Sequence, residues 1–304
     1  MNETVTVVVP ATTANCGAGF DSLGIACNLY NRLTLTLTQG DFLLMEVEGE
    51  GQEIIPRTRQ NLIVRCIEQL LTTAGDTRRG ISVKLENNIP LSRGLGSSSA
   101  AIISGLFAAN CLVERPLSQK ELLSLATSIE GHPDNVAPAL MGGCTIAYME
   151  SGEAKCFTYQ PKEELILVAA VPNFYLSTKK AREALPASVP FGDAAYNASR
   201  SALFVGALLT GNAACLADSL NDKLHQPYRA ALIPGMQDVF NAAKRAGADG
   251  AVISGAGPTL MAFVSKGEQT AKQVGNAMKE AFEATGATAV VHLLSIDTEG
   301  ARRV

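Results

Sequence analysis

The 304-residue sequence contains no Gly-Lys dipeptide, and that absence removes one common way of holding a nucleotide. The loop G-x-x-x-x-G-K-[ST] needs that lysine to reach the phosphates. The dinucleotide fingerprint G-x-G-x-x-G is missing as well, which argues against a dehydrogenase. No Cys-x-x-Cys pair occurs among the seven cysteines, at 16, 27, 66, 111, 144, 156 and 215. An odd, scattered set of this kind fits small buried hydrophobes in a reducing cytoplasm, not disulfides or a zinc site. No apolar run approaches the roughly 18 residues that a membrane span needs. Residues 1–10 (MNETVTVVVP) carry Glu3 and no basic segment ahead of a short apolar run, so no signal peptide is expected. A basic patch is lacking too. The net charge is -4 and the few Lys/Arg pairs are scattered, so the expected partner is a small molecule, not nucleic acid or a membrane. The expected location is the cytoplasm, and nothing in the sequence speaks against a homodimer.

What is present centres on residues 89–110, IPLSRGLGSSSAAIISGLFAAN. Ile81 to Leu85 alternates apolar and polar residues, which predicts a half-buried strand. Ala100 to Val113 is rich in Ala, Ile and Leu without proline, which predicts a helix. Between them, Gly94 and Gly96 let the backbone turn and approach a ligand closely. Three serines then fall where the helix begins. Their hydroxyls and the unpaired first-turn N–H groups form an anion site, helped by the helix dipole. A flexible Gly/Ser linker would not be wedged between a strand and an Ala-rich helix. A polyphosphate is the expected guest.

This run closely resembles the second motif of the GHMP kinases, P-x-x-x-G-L-G-S-S-x-A. It is carried here by Pro90, Gly94, Leu95, Gly96, Ser97, Ser98 and Ala100. The resemblance implies that Pro90, Leu91, Ser92, Arg93, Gly94, Leu95, Gly96, Ser97, Ser98, Ser99 and Ala100 surround ATP. Asn15 to Gly24 (NCGAGFDSLG) resembles the first motif of the homoserine kinases within that superfamily, N-x-G-x-G-F-D-x-x-G. Cys16 and Ala18 depart from the usual aliphatic residue and proline without removing a side chain the chemistry needs. Read alone, the stretch is a glycine-rich turn with Asp21 as a cap. Mevalonate and galactose kinases carry a basic residue just after the first strand, where this chain reads Pro10-Ala11-Thr12-Thr13.

Two further segments extend the likeness. Glu130 to Asn135 (EGHPDN) recurs as a string in homoserine kinases, although read alone its charges are surface groups and His132 a helix cap. The resemblance places Glu130 with Ser98 at Mg²⁺, and His132 and Asn135 beside the substrate. Ser254 to Thr259 (SGAGPT) is explained by a tight turn but resembles the third GHMP motif, bringing Gly255 and Gly257 to the substrate. Arg182 in STKKAR and Arg229 in HQPYR look like homoserine kinase segments that hold the substrate carboxylate, with Asp21 taking the ammonium and Asn15 also at the substrate. Asp21, Glu130 and His132 are the expected catalytic groups.

The remaining chain predicts strands over Thr4–Val9, ended by Pro10, and over Leu33–Leu37, paired with Phe42–Glu48. It predicts a helix from Asn61 to Gly75, another opened by the capping box Ser118–Glu121, and a strand over Cys144–Tyr148. A second unit follows from about Leu165: the strand LILVAAV, a helix capped by Ser177, a looser helical region 193–220, then helix 235–246, strands 250–254 and 259–264, helix 268–284 and strand 288–294. The expected fold is an α+β, two-domain GHMP-kinase arrangement. Residues 1–160 form an N-terminal α/β ATP-binding domain with the phosphate loop, and 161–304 a C-terminal ferredoxin-like α+β sandwich with helices on one face. The resemblance spans residues 5 to about 295. It implies transfer of the γ-phosphoryl group of ATP, with Mg²⁺, to the side-chain hydroxyl of L-homoserine, as threonine synthesis requires. Another GHMP small-molecule kinase of mevalonate or shikimate type, or a non-catalytic nucleotide- or amino-acid-sensing relative, is the alternative.

Overall fold

The structure is a computed structural model that describes residues 3–304. The first half reads β1 (Glu3–Ala14), β2 (Leu23–Thr38), β3 (Asp41–Gly49), α1 (Leu62–Ala74), β4 (Arg79–Asn87), α2 (Ser97–Asn110), α3 (Gln119–Glu130), α4 (Pro133–Met141), β5 (Cys144–Glu150) and β6 (Glu153–Tyr159). The second reads β7 (Ile166–Pro172), α5 (Thr178–Glu183), α6 (Phe191–Thr210), α7 (Ala213–Ser219), α8 (Gln226–Arg229), a 3₁₀ turn (Ala230–Leu232), α9 (Met236–Arg245), β8 (Gly250–Ile253), β9 (Leu260–Val264), α10 (Glu268–Glu283), β10 (Ala289–Leu294) and β11 (Arg302–Arg303).

The larger sheet runs β11-β1-β2-β4-β3, with β5 on the far half of β2 and β6 on β5. Its strands depart from the sequence reading at three places. β1 does not stop at Pro10 but continues to Ala14, because the register with β2 shifts between Pro10 and Ala11 and a proline is tolerated at such an irregularity. β3 does not pair with the Leu33–Leu37 strand. Instead β4 lies between them, antiparallel to β2 (Leu33 opposite Leu85) and parallel to β3 (Val47 opposite Leu85). A parallel neighbour needs a crossover, and α1 supplies it. The hairpin β5–β6 was legible only in its first strand.

Helices α1, α2, α3 and α4 bury apolar faces on this sheet, with Ile67, Leu70 and Leu71 of α1 and Ile102, Ile103 and Leu106 of α2 fully enclosed. Asn61 caps α1: its Oδ1 accepts from Ile63 N–H at 2.8 Å, while its Nδ2 donates to Pro56 O at 2.7 Å. Gly75 ends the helix in the left-handed region at φ 73°. Losing such a cap costs about 1 kcal/mol. Asn61→Ala should therefore lower the unfolding free energy by that amount, read as a lower urea midpoint at unchanged slope, and a midpoint equal to that of the native chain would show the cap to be dispensable.

The second sheet runs β10-β7-β9-β8, with every pair antiparallel. One face carries α9 and α10, joining Val168, Leu260 and Val264 to Val239, Val274 and Phe282. The expectation of helices on one face only is too simple. The other face, with Leu167, Val171, Met261 and Phe263, joins the main core, and Phe204 of α6 meets Phe263 edge-on at 5.8 Å. Strands buried on both sides read as unbroken apolar runs, which is what LILVAAV and LMAFV are.

The chain then returns to the first sheet. Asp297 N–H donates to Ala26 O at 3.0 Å, and Arg302 and Arg303 pair with Val8 and Val7 of β1. Tyr30, Arg302 and the Glu299 and Gly300 amides all donate to the Asp297 carboxylate. All seven thiols are free, and burial pushes those of Cys27 and Cys66 up to about 12, as inert core residues require.

Candidate active site

Three glycine-rich segments meet between the two sheets. The loop before α2 holds Gly94 at φ 83° and Gly96 at φ 68°. A Cβ on Gly96 would fall 1.9 Å from Thr12 Oγ1, and one on Gly94 would fall 2.4 Å from Ser254 O. Thr12 N–H donates to Leu95 O at 3.1 Å and Ser254 Oγ to Gly94 O at 2.6 Å. Thr259 N–H donates to Arg93 O and Gly255 N–H to Ala14 O, each at 3.1 Å. Stretches some 80 and 160 residues apart are thus stitched into one floor by backbone bonds. Among the described residues, none of the N–H groups of 94–99 has a hydrogen-bond partner. Gly94, Gly96, Ser97 and Ser98 of this stretch line a cavity of about 340 Å³.

Helix α2 begins at Ser97, three residues earlier than its Ala-rich pattern suggests, and ends at Asn110. The three serines therefore form its first turn. Ser98 Oγ donates to Glu130 Oε2 and Ser99 Oγ to Glu130 Oε1, both at 2.8 Å. Ser99 is fully buried, so it fixes the carboxylate from below while exposed Ser98 meets it from the cavity side. Pro90, Leu95 and Ala100 are buried and do not line the cavity, so any part they play at ATP falls to their backbone or to packing. The Arg93 guanidinium is also engaged elsewhere, donating to Pro172 O and Asn173 O and lying over the Tyr175 ring at 4.3 Å.

At the other end, the β1–β2 turn holds Asn15, Cys16 and Asp21 at positive φ (70°, 43° and 55°), a conformation that side-chain-bearing residues seldom adopt. The turn is pinned from within. Asn15 Oδ1 accepts from Asp21 N–H at 3.0 Å, and Asn15 Nδ2 donates to Gly255 O at 2.8 Å. Asp21 and Arg182, expected to grip opposite ends of a ligand, grip one another: Nη1 to Oδ2 at 3.0 Å and Nη2 to Oδ1 at 2.8 Å. The Asp21 carboxylate raises Arg182 above the ordinary arginine value. Arg229 is 2% exposed. Its Nε donates to Ala181 O at 3.2 Å and its Nη1 to Gly255 O at 3.0 Å. Burial, with Arg182 nearby, lowers it to about 10, so it stays charged at neutral pH. Phe20 lies within 5.6 Å of both guanidinium carbons, presenting its ring face to two cations.

His132 sits between these ends, its Nδ1 2.5 Å from Oδ1 of Asp134, a carboxylate that is almost wholly enclosed. Burial pulls the imidazole down, but the bond to Asp134 and the charges of Asp134 and Glu130 leave it above the ordinary histidine value. Asn135 Oδ1 accepts from Thr12 Oγ1 at 2.7 Å. The structure thus brings Asn15, Asp21, Glu130, His132, Asn135, Arg182, Arg229, Gly255 and Gly257 to one cavity. Sequence reasoning missed Asp134, although it stands inside the EGHPDN string, and the apolar arm formed by Ile55, Pro56, Leu62 and Leu85. That arm carries no spacing signal, because its members come from a loop, a helix and a strand.

For a hard divalent cation, the hydroxyl and carboxylate oxygens of Ser98 and Glu130 are the right donor chemistry, beside N–H groups suited to phosphate. Asp21, His132 and Asp134 also approach within 4.8 Å of one another, but an imidazole paired to one carboxylate and a second carboxylate paired to Arg182 suit Mg²⁺ less well.

Comparison with known proteins agrees with this geometry. Residues 61–143 match the GHMP kinase N-terminal domain and residues 204–284 the GHMP kinase C-terminal domain. Homoserine kinase of Desulfitobacterium hafniense is 44% identical over 297 residues, covering 98% of this chain and 99% of its own. The crystal structure of homoserine kinase from Cytophaga hutchinsonii superposes with a TM-score of 0.90 at 30% identity, covering 99% of this chain and 97% of the other. Mevalonate kinase of L. major shares the fold alone, at 14% identity and a TM-score of 0.76 over 98% of this chain and 97% of that one. With both family models matched in order and relatives of this identity over nearly its whole length, the chain belongs to the GHMP kinase family.

Proposed function

We propose that the chain transfers the γ-phosphoryl group of ATP to the side-chain hydroxyl of L-homoserine, forming O-phospho-L-homoserine for threonine synthesis in the cytoplasm. The observation that carries this reading is the opposed charge at the substrate end: Asp21 on one side, Arg182 and buried Arg229 on the other, within reach of the phosphate loop. A zwitterionic hydroxy-amino acid matches that arrangement. Mevalonate or shikimate, with a carboxylate and no ammonium, would draw Arg182 from Asp21 and offer the aspartate nothing in return, at a cost. The relatives from Desulfitobacterium hafniense and Cytophaga hutchinsonii carry the same activity in their names. Among the described residues no helix is long and apolar enough to cross a membrane.

Phosphoryl transfer asks for positioning and charge neutralisation more than covalent help. The free N–H groups of 94–99 would hold the phosphates at the start of α2, and the apolar arm suits the base. Ser98 and Glu130 would hold Mg²⁺, which when bound neutralises charge on the transferring group. On substrate binding, the ammonium takes the place of Arg182 at Asp21, and the carboxylate takes the place of Asp21 at Arg182. One ion pair opens and two form. Arg229, with Nε and Nη1 already committed to the protein, has Nη2 left for the carboxylate. His132, with Nδ1 on Asp134, offers Nε2 to the hydroxyl, and a base held above its usual pKa is suited to receive a proton released late.

A coupled assay of ADP release across homoserine, mevalonate, shikimate and galactose tests this. Homoserine is expected to show the highest kcat/KM of the four. A better rate with any other would overturn the assignment.

A further inference from the structure

His225 does not line the cavity, yet it is fully buried and touches two parts that do. It stands just ahead of α8, so its ring and the Arg229 side chain lie one helical turn apart. Its Nε2 is 2.7 Å from Gly17 O, in the β1–β2 turn that carries Asn15 and Asp21. Its Nδ1 is 3.2 Å from Arg229 Nη1, and its ring lies 5.3 Å from that of Phe20.

These partners fix the proton. A carbonyl can only accept, so Nε2 must carry hydrogen, and a guanidinium can only donate, so Nδ1 must be bare. The imidazole is neutral. The charges facing it agree: Arg229 opposes a second cation, and burial lowers the pKa despite Asp222 and Asp21. Asp222 does not need an imidazolium as a partner. It is itself buried and accepts from Asn197 Nδ2, Leu224 N–H, His225 N–H and Gln226 N–H at 2.6–3.0 Å, whereas His225 Nε2 stands 3.6 Å away.

We propose that His225 is a positioning residue for carboxylate recognition, holding the Arg229 fork with a bare Nδ1 and tying it through Nε2–H to the Gly17–Asp21 turn. It couples the two ends of the substrate site, since the turn supplies Asp21 and the fork supplies Arg229. The inference rests on the reading that a substrate carboxylate meets Arg229, and it assigns the orientation of that arginine to a residue the substrate never touches.

Two substitutions separate its two bonds. In His225→Asn the amide oxygen falls near the Nδ1 position and can still accept from Arg229, whereas His225→Gln reaches toward Gly17 and leaves Arg229 without its acceptor. His225→Gln should raise the KM for homoserine on the order of tenfold, the worth of one hydrogen bond to a charged group, with the KM for ATP unchanged. His225→Asn should recover most of that loss. Equal rises in both Michaelis constants, or a His225→Gln enzyme indistinguishable from the native one, would reduce His225 to packing. A second test needs neither substrate nor any change at His225. With only three histidines in the chain, ¹⁵N NMR can assign the His225 ring by elimination with His132→Gln and His292→Gln. A neutral, Nε2-protonated ring between about pH 6 and 8 is expected, and an imidazolium or Nδ1–H ring there overturns the proposal. Turnover of homoserine by the native enzyme tests the proposed function separately, because the tautomer does not depend on it.

Discussion

Glu130→Gln should lower kcat for homoserine phosphorylation roughly a hundredfold or more and leave the fold intact. The substitution keeps volume and removes one negative charge. Ser98 and Ser99 now donate to the two carboxylate oxygens, and an amide can accept through only one of its two heavy atoms. Losing a preorganised charge at a transferring phosphoryl group typically costs about 2–4 kcal/mol of transition-state stabilisation. The loss should appear in kcat, with the KM for homoserine nearly constant, because nothing places Glu130 against the amino acid. Steady-state rates across a Mg²⁺ titration decide the matter. Native turnover at saturating Mg²⁺ would mean that Glu130 only caps the serine hydroxyls.

The second large effect is at Arg229. Arg229→Lys should reduce kcat/KM for homoserine about a hundredfold, against roughly tenfold for Arg182→Lys. Burial makes the difference. Arg229 satisfies Ala181 O, Gly255 O and His225 Nδ1 with one planar fork, and a single ammonium cannot reach all three while facing a ligand. Some of these buried acceptors would be left unpaired, each at a cost of about 1–3 kcal/mol. Arg182 is partly exposed and already exchanges partners in the proposed binding step, so water can repair more of its loss. An analogue of homoserine with the carboxylate reduced to an alcohol separates binding from folding. It should be a poor substrate for the native enzyme and lose far less on either substitution. Equal losses for both substrates would assign the arginines to the phosphates or to the fold.

Local chemistry made much of this molecule readable. The Asn61 cap, the Ser118–Glu121 box and the Ser177 cap mark their helices through bonds that form within three residues, and the structure contains all three. The phosphate loop was readable because close approach of three backbones excludes side chains, leaving glycine as a visible trace. What could not be read was set by distant partners. Whether β3 meets β2 or β4 depends on where α1 crosses, and no residue of β3 encodes that. The mutual grip of Asp21 and Arg182 joins positions 161 residues apart, and Asp134 shows its role only once its carboxylate is enclosed beneath His132. A motif reveals which side chains gather; it does not reveal which of them neutralise each other before a ligand arrives.

The return of residues 296–303 to the first sheet sets the order of synthesis against the order of assembly. β1 emerges from the ribosome well ahead of its partner strand β11, and the stretch between them takes roughly 15–60 s to translate at the usual 5–20 residues per second. Through that interval one margin of β1 stays open to stray pairing. The same late segment anchors the end of α4. Asp297 O accepts from Gly143 N–H at 2.6 Å, and Ala301 N–H donates to Leu140 O. α4 begins beside His132 and carries Asp134 and Asn135. A nascent chain can therefore display every residue of the cavity and still lack the brace that steadies one wall of it. The helix that presents the substrate-side polar groups is thus secured only after the second unit has been made.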